Sequence, residues 1–280
     1  MSLDDAGSTA SARYPSIPSA ALIVRYALPE RRGRAYRAAM NGPSSDARPV
    51  GAPLANWTPP PRPSGEVLTG AYARLAPLSA EGHAALLHRA FVESDAVWDY
   101  LPYGPFSSAA QYYRWAREHE GRSDPFFYAI KNLETGAWEG VASFLNVVPG
   151  GGSIEVGHIN FSPALQRTRA ATDAMYLMMK WAFEAGYRRY EWKCDALNRP
   201  SRRAAQRLGL SYEGVFRQAT VVKGRNRDTA WFAAIDSEWP ALKEAFEAWL
   251  APANFDADGS QRERLADLTG LVRAASDPAL

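Results

Sequence analysis

The stretch Ser153–Ser201, SIEVGHINFSPALQRTRAATDAMYLMMKWAFEAGYRRYEWKCDALNRPS, limits the fold more than any other part of the chain. Ile154 to Phe161 has strand composition and runs into the Ser162-Pro163 loop. A basic polar segment, Gln166-Arg167-Thr168-Arg169, precedes an Ala/Met/Leu-rich helix that stops at Gly186. A second strand follows from Arg189 to Asp195. Tyr190, Trp192 and Cys194 alternate with Arg189, Glu191, Lys193 and Asp195, the pattern of a strand with one buried face. Asn198-Arg199-Pro200-Ser201 then opens another helix, with proline close to its first position. Strand, helix, strand, helix implies a parallel pair joined by a right-handed crossover. Arginines and free backbone N–H groups meet at the start of the crossover helix, which makes an anion site there. The bland alternative is a plain βαβ unit with solvated arginines.

Composition narrows the class. The chain has 280 residues, 46% hydrophobic and 22% charged, with a net charge of +2. That suffices for a full core, and it lacks the strongly basic balance of a dedicated nucleic-acid binder. No apolar run approaches the ~20 residues that span a bilayer. A single cysteine, Cys194, excludes an internal disulfide and fits a cytoplasmic location; its place on the apolar strand face reads as a small buried hydrophobe. The four histidines show no metal-ligand spacing, so no metal is expected.

A specific combination of short motifs resembles the GNAT superfamily of acetyl-coenzyme A-dependent N-acetyltransferases. It is most similar to the subgroup related to bacterial ribosomal-protein N-terminal acetyltransferases. The matching pieces are Glu155-Val156-Gly157-His158, Ser162-Pro163, Gln166 to Thr172, and Asn198-x-x-Ser201 followed by Arg207-Leu208-Gly209-Leu210. Glu213 to Gln218, leading into Asp228, is another, and the resemblance spans roughly Leu68 to Trp249. One departure stands out. The family's anion loop carries glycines where this chain has Arg167 and Arg169, so close backbone approach to a pyrophosphate must be managed differently.

The rest of the chain is read around that unit. Residues 1–65, rich in Ser, Pro, Ala and Arg, are expected to form a disordered or extended leader. Residues 66–250 form the acetyltransferase domain and 251–280 a helical tail. Ala71 to Pro77 alternates as a strand, Ser79 caps a helix through Phe91, and Ser107 or Ser108 caps another to His119. Phe126 to Asn132, Val141 to Val148 and the central strand make an antiparallel meander. Leu210 to Val222 and Thr229 to Ile235 are two strands joined across Lys223 to Asn226; Ala241 to Leu250 and Gln261 to Ala275 are helices. The expected class is α/β (α+β): a mixed, mostly antiparallel twisted sheet with a central parallel pair, flanked by helices.

By resemblance, the donor is acetyl-coenzyme A, transferred in a ternary complex to a primary amine of a small molecule or a protein N-terminus. The same resemblance assigns cofactor contacts to Gly157, His158, Ile159, Asn160, Gln166, Arg167, Thr168, Arg169, Ala170, Ala171, Thr172, Asn198 and Ser201. Ser201 stands where the thiolate partner is expected. Gly157 suits a bulge whose free N–H faces the thioester oxygen. Some ribosomal-protein relatives place a glutamate two residues after the glutamine of the Arg217-Gln218-Ala219-Thr220 strand; Thr220 stands there in this chain. Glu155 is therefore the first candidate base, and His158, with an ordinary pKa near 6.5, the second. Trp98, Tyr100 and Tyr103, among turn-forming residues, are expected to wall the acceptor. Neither nucleic acid nor membrane is expected as a partner, and a homodimer stays open. A coenzyme A-binding sensor without turnover, or another acyl or aminoacyl transferase on the same fold, are the competing readings.

Overall fold

The alternating and amphipathic segments of the sequence assemble into one eight-stranded sheet with helices on both faces. The computed structural model describes residue 48 and residues 50–280, so most of the expected leader lies outside the described residues. Thr58–Leu280 form one compact unit. Its strands are β1 (Leu68–Thr69), β2 (Ala73–Pro77), β3 (Phe126–Asn132), β4 (Trp138–Val148), β5 (Ser153–Phe161), β6 (Arg189–Asp195), β7 (Ser211–Val222) and β8 (Arg225–Ile235). Helices α1 (Ala80–Phe91) and α2 (Ala109–His119) follow β2; α3 (Arg169–Glu184) and α4 (Arg199–Arg207) flank β6. Helices α5 (Trp239–Leu250) and α6 (Leu265–Gly270) close the chain.

The sheet order is β1-β2-β3-β4-β5-β6-β8-β7, and β5–β6 is its parallel pair. The mixed α/β architecture read from the sequence is thus present. Local chemistry explains the element ends. Ser79, Ser108 and Thr168 each cap a helix by accepting the N–H of Gly82, Gln111 and Ala171. Gly186, at φ 99, ends the crossover helix in the left-handed conformation.

Two cores form on the two faces. Tyr190, Trp192, Cys194 and Phe232 pack with α3 and α5 on one. On the other, Phe127, Ala129 and Val141 pack beneath α1, α2 and Trp98. This second face is covered only over β2–β4 by that core. Over β5–β6–β8 it carries Glu155, Glu191, Lys193 and Trp231 instead, and this is where the fold leaves room for a site.

Three elements differ from their expected limits by three residues or more, while β2 starts at Ala73 rather than Ala71 and α5 at Trp239 rather than Ala241. Strand β8 begins at Arg225 rather than Thr229, because Lys223 and Gly224, both at positive φ, make a two-residue hairpin turn pairing Val222 with Arg225. Strand β4 begins at Trp138 rather than Val141. The helix expected over Gln261–Ala275 is only Leu265–Gly270. Beyond it the chain is held on α4 by side chains: Arg273 Nη1 donates to Gln206 O and Arg202 grips Asp277 through two hydrogen bonds of 2.6 Å.

Candidate active site

The sheet opens in its middle. Parallel pairing of β5 with β6 ends at Val156–Trp192, whereas β6 stays paired with β8 as far as Asp195–Thr229. From Gly157 onward, the β6-facing edge of β5 has no strand partner. A bulge sits at the same point. On β4, Ser143 faces Gly157 and Val141 faces Asn160, so Ala142 stands opposite both His158 and Ile159. Within the bulge the left-handed backbone is at His158, φ 50. At Gly157 a Cβ would lie 2.8 Å from Leu145 Cδ2, so a larger residue there would have to displace that side-chain methyl.

Glu155 lies just before the bulge and is buried. Its Oε2 accepts from Asn146 Nδ2 at 2.7 Å and pairs with Lys193 Nζ at 2.8 Å, while Oε1 has no protein partner. That free oxygen is 3.6 Å from where a Cβ on Gly157 would stand, so it looks onto the bulge. Burial raises the Glu155 pKa, against the opposing charge of Lys193. Lys193 also bridges to Glu191 at 2.9 Å and lies 3.9 Å from the centre of the Trp231 ring. Its own burial favours the neutral amine, but the two carboxylates outweigh that and its pKa is raised.

His158 stacks on Tyr103, with Nδ1 3.1 Å from the tyrosine hydroxyl. Burial, then the charges of His119 and Arg227, push its pKa down to about 4. The ordinary value near 6.5 that recommended it as a base does not hold here. It is a neutral polar wall at neutral pH.

Of the three aromatic residues expected at the acceptor, Tyr103 meets the bulge through His158. Trp98 is buried, packed edge-on against Phe91 and Phe106. Tyr100 is exposed to solvent. Trp98 instead contributes its carbonyl, which accepts from Lys223 Nζ at 2.9 Å and ties the β7–β8 hairpin tip to the aromatic loop. No local pattern marked Lys223, Lys193 or Asn146, since each works through a partner distant in sequence or across a strand.

The basic loop separates its two arginines. Arg167 takes φ 63, the left-handed conformation a glycine would supply, and its guanidinium has no partner among the described residues. Arg169 points elsewhere: it pairs with Glu134 and stacks on Tyr72 and Phe255 at 4.7 and 4.9 Å. Gln166 Nε2 donates to Phe161 O at 3.0 Å, and Thr168 caps α3, leaving the N–H groups of Arg169 and Ala170 open. Ala170 and Ala171 are small enough for close approach, and Thr172 is held by Arg207 Nη1 at 3.1 Å.

Across the opening, Asn198 is the N-cap of α4, its Oδ1 accepting Ser201 N at 3.1 Å. The Ser201 hydroxyl accepts from Trp192 Nε1 at 3.0 Å. An indole N–H can only donate, so the serine's own proton is left for an acceptor, and the neighbouring Cys194 sulfur is within its reach. Cys194, beside it, is buried, and burial pushes the thiol up to about 11. The side chain of Asn160 is also buried, with neither amide atom partnered.

A GCN5-related N-acetyltransferase from Brucella melitensis is 44% identical over 78% of this chain and 100% of its own, with a TM-score of 0.76. This chain belongs to the GNAT acetyltransferase family. The acetyltransferase (GNAT) domain matches residues 73–211. A probable GNAT-family acetyltransferase from Chromobacterium violaceum is 42% identical, covering 71% of this chain and 100% of that one, with a TM-score of 0.66. An acetyl transferase from Salmonella typhimurium that modifies the N-terminal serine of the 50S ribosomal subunit protein L7/L12 is 20% identical. It covers 61% of this chain and 99% of its own at a TM-score of 0.53, and shares the fold alone. No curated protein matches. The GNAT chain is thus an acyltransferase. Among its described residues no helix is long and apolar enough to cross a membrane, and no three His, Cys, Asp or Glu side chains converge as a metal site.

Proposed function

We propose that this GNAT chain transfers the acetyl group of acetyl-coenzyme A directly to a primary amine. The observation that carries the reading is the unpaired edge of β5 beyond the bulge. An extended, amide-bearing arm fits such an edge as an added strand does, hydrogen-bonding to backbone from Gly157 to Phe161. The donor supplies the activated acyl thioester.

The chain's own residues divide the remaining work. The open N–H groups at the start of α3 and the unpaired Arg167 suit a pyrophosphate. Asn198 and Ser201 face the opening from the far side. Glu155 Oε1 takes the amine proton, directly or through one water, and His158 and Tyr103 hold the wall opposite. Ser201 turns its hydroxyl proton from the neutral Cys194 thiol to the departing sulfur, which accepts more strongly as it becomes anionic.

Thiol release from acetyl-coenzyme A, followed across a panel of primary amines, tests the reading; absence of turnover with every amine would leave a binding module without catalysis. Two sets of variants sharpen it. Arg167→Ala is expected to weaken acetyl-coenzyme A binding in calorimetry and to flatten its salt dependence. Arg169→Ala should instead lower the melting temperature with little change in affinity, because its guanidinium serves Glu134, Tyr72 and Phe255. The reverse pattern would move the pyrophosphate to Arg169. At α4, Asn198→Ala removes a cap and should cost about 0.5–2 kcal/mol of stability. Ser201→Ala should lower kcat while leaving donor affinity nearly intact, since its bond is made only as charge develops. Equal turnover by Ser201→Ala would remove that role.

A further inference from the structure

The acceptor face holds a cation that has no counter-ion among the described residues. Arg227 lies on β8 two residues beyond Thr229, the last residue paired with β6, and is backed by Thr220 of β7. Alternation places Arg227 on the same face as Trp231, over whose ring Lys193 lies, and opposite Ala230 and Phe232 of the core. Its guanidinium makes no hydrogen bond or ion pair with any described residue, and its Nε is shielded from solvent without a partner.

The neighbouring charges are already used. Asp228 accepts from Gln218 N and Asn226 Nδ2, and Lys223 donates to Trp98 O. Glu155 and Glu191 are tied to Lys193, and Glu213 to Arg189. The charge of Arg227 reaches His158 on β5 and Cys194 on β6, so it lies close to the opening between those strands. Trp231 Nε1 is a second buried donor on this face with no partner. Donors without acceptors, one of them cationic, call for a ligand that brings anionic oxygen.

We propose that Arg227 receives a carboxylate carried by the acceptor, and that the acceptor is a peptide N-terminus with an acidic side chain two or three residues in. This rests on the amine-acetylation reading above and specifies its substrate. The spacing follows from the register. Gly157, beneath the free Glu155 oxygen, is one step beyond the Val156–Trp192 pair, level with Lys193 and its partner Trp231. Trp231 and Arg227 are four residues apart, about 13 Å along β8, and β8 lies two strand spacings, about 10 Å, from β5. About 16 Å thus separates the Gly157 level from Arg227, of which the arginine side chain and the carboxylate-bearing side chain of the acceptor span roughly half. An amine at Glu155 and a carboxylate at Arg227 are therefore about two extended residues apart, too far for the two ends of a free α-amino acid.

The test uses the whole chain, acetyl-coenzyme A and synthetic tetrapeptides with free N-termini, carrying Glu, Gln or Lys at the second or third position. Wild type is expected to favour the Glu peptides over the Gln peptides by about ten- to a hundredfold in kcat/KM, as a charge-assisted hydrogen bond allows. Arg227→Gln should abolish the preference with donor affinity unchanged in calorimetry, and Arg227→Glu should turn it toward the Lys peptides. Arg227→Lys keeps the charge and should keep the direction of the preference. Turnover of all peptides at equal rates by wild type would overturn this inference while leaving amine acetylation standing. Weaker acetyl-coenzyme A binding in Arg227→Gln, with the peptide preference intact at saturating donor, would overturn it by assigning the charge to the donor. If no amine is turned over at all, the proposed reaction fails and this inference with it.

Discussion

Glu155→Gln is expected to bind acetyl-coenzyme A like the wild type and to lose roughly 10²–10⁴ in turnover, the usual worth of general-base assistance. The argument lies in how the two carboxylate oxygens are divided. Oε2 is fixed by Asn146 at 2.7 Å and Lys193 at 2.8 Å, and Oε1 is left facing the bulge. Glutamine can fill the same space and still accept from Lys193, so the substitution removes basicity more than shape. The pH profile provides the sharper readout. Burial raises the Glu155 pKa above that of an ordinary glutamate, and a base works only when ionised. Activity should therefore fall as pH drops through that raised value, at a higher pH than an ordinary carboxylate would give. In Glu155→Gln this acidic limb should vanish and leave a low plateau. A variant with wild-type kcat, or one that keeps the limb, would take the base away from Glu155. A melting curve beside the rates separates loss of chemistry from loss of the Lys193 pair.

Much of this arrangement is legible without coordinates, because it is local. Alternation from Arg189 to Asp195 gives both the buried face and the charged face of β6. Asn198 and Ser79 announce helix starts through cap chemistry, and Gly186 marks the end of α3. What escapes such a reading depends on partners far away in sequence. Arg167 and Arg169 look equivalent in the chain, yet only Arg169 finds Glu134, Tyr72 and Phe255. Trp98 and Tyr100 belong to one aromatic run, but α1 and α2 bury the first and leave the second in solvent. The pKa of His158 is lowered by its burial, beneath the rings of Tyr103 and Phe127, and by the charges of His119 and Arg227, which no motif encodes. Arg227 has a faint signature, falling in step with Thr229 and Trp231 on one strand face. Whether it has a counter-ion could not be read until the neighbouring acids were seen paired elsewhere.

The last ten residues supply the other large effect. Asp277 is 5% exposed and accepts from Arg202 Nε and Nη2, both at 2.6 Å, while Arg202 Nη1 donates to Ala196 O at 2.8 Å. Arg202 belongs to the first turn of α4, beside Ser201, so this carboxylate holds the helix that presents Asn198 and Ser201 to the opening. Asp277→Ala would leave a buried guanidinium without its counter-charge, which typically costs about 3–5 kcal/mol. For a fold of this size each kcal/mol moves Tm by about 2–4 °C, so a fall of roughly 6–20 °C is expected. Donor affinity should weaken along with it, because the loosened segment carries Asn198. The pair can be distinguished from general damage by replacing both charges. Arg202→Met with Asp277→Leu removes the penalty along with the attraction, and such exchanges are often neutral or stabilising. The double variant should therefore melt well above Asp277→Ala alone. A single variant that melts like wild type would show that the pair contributes nothing to stability. A double variant no more stable than the single one would point to the Ala196 hydrogen bond, rather than the charge pair, as what fixes α4.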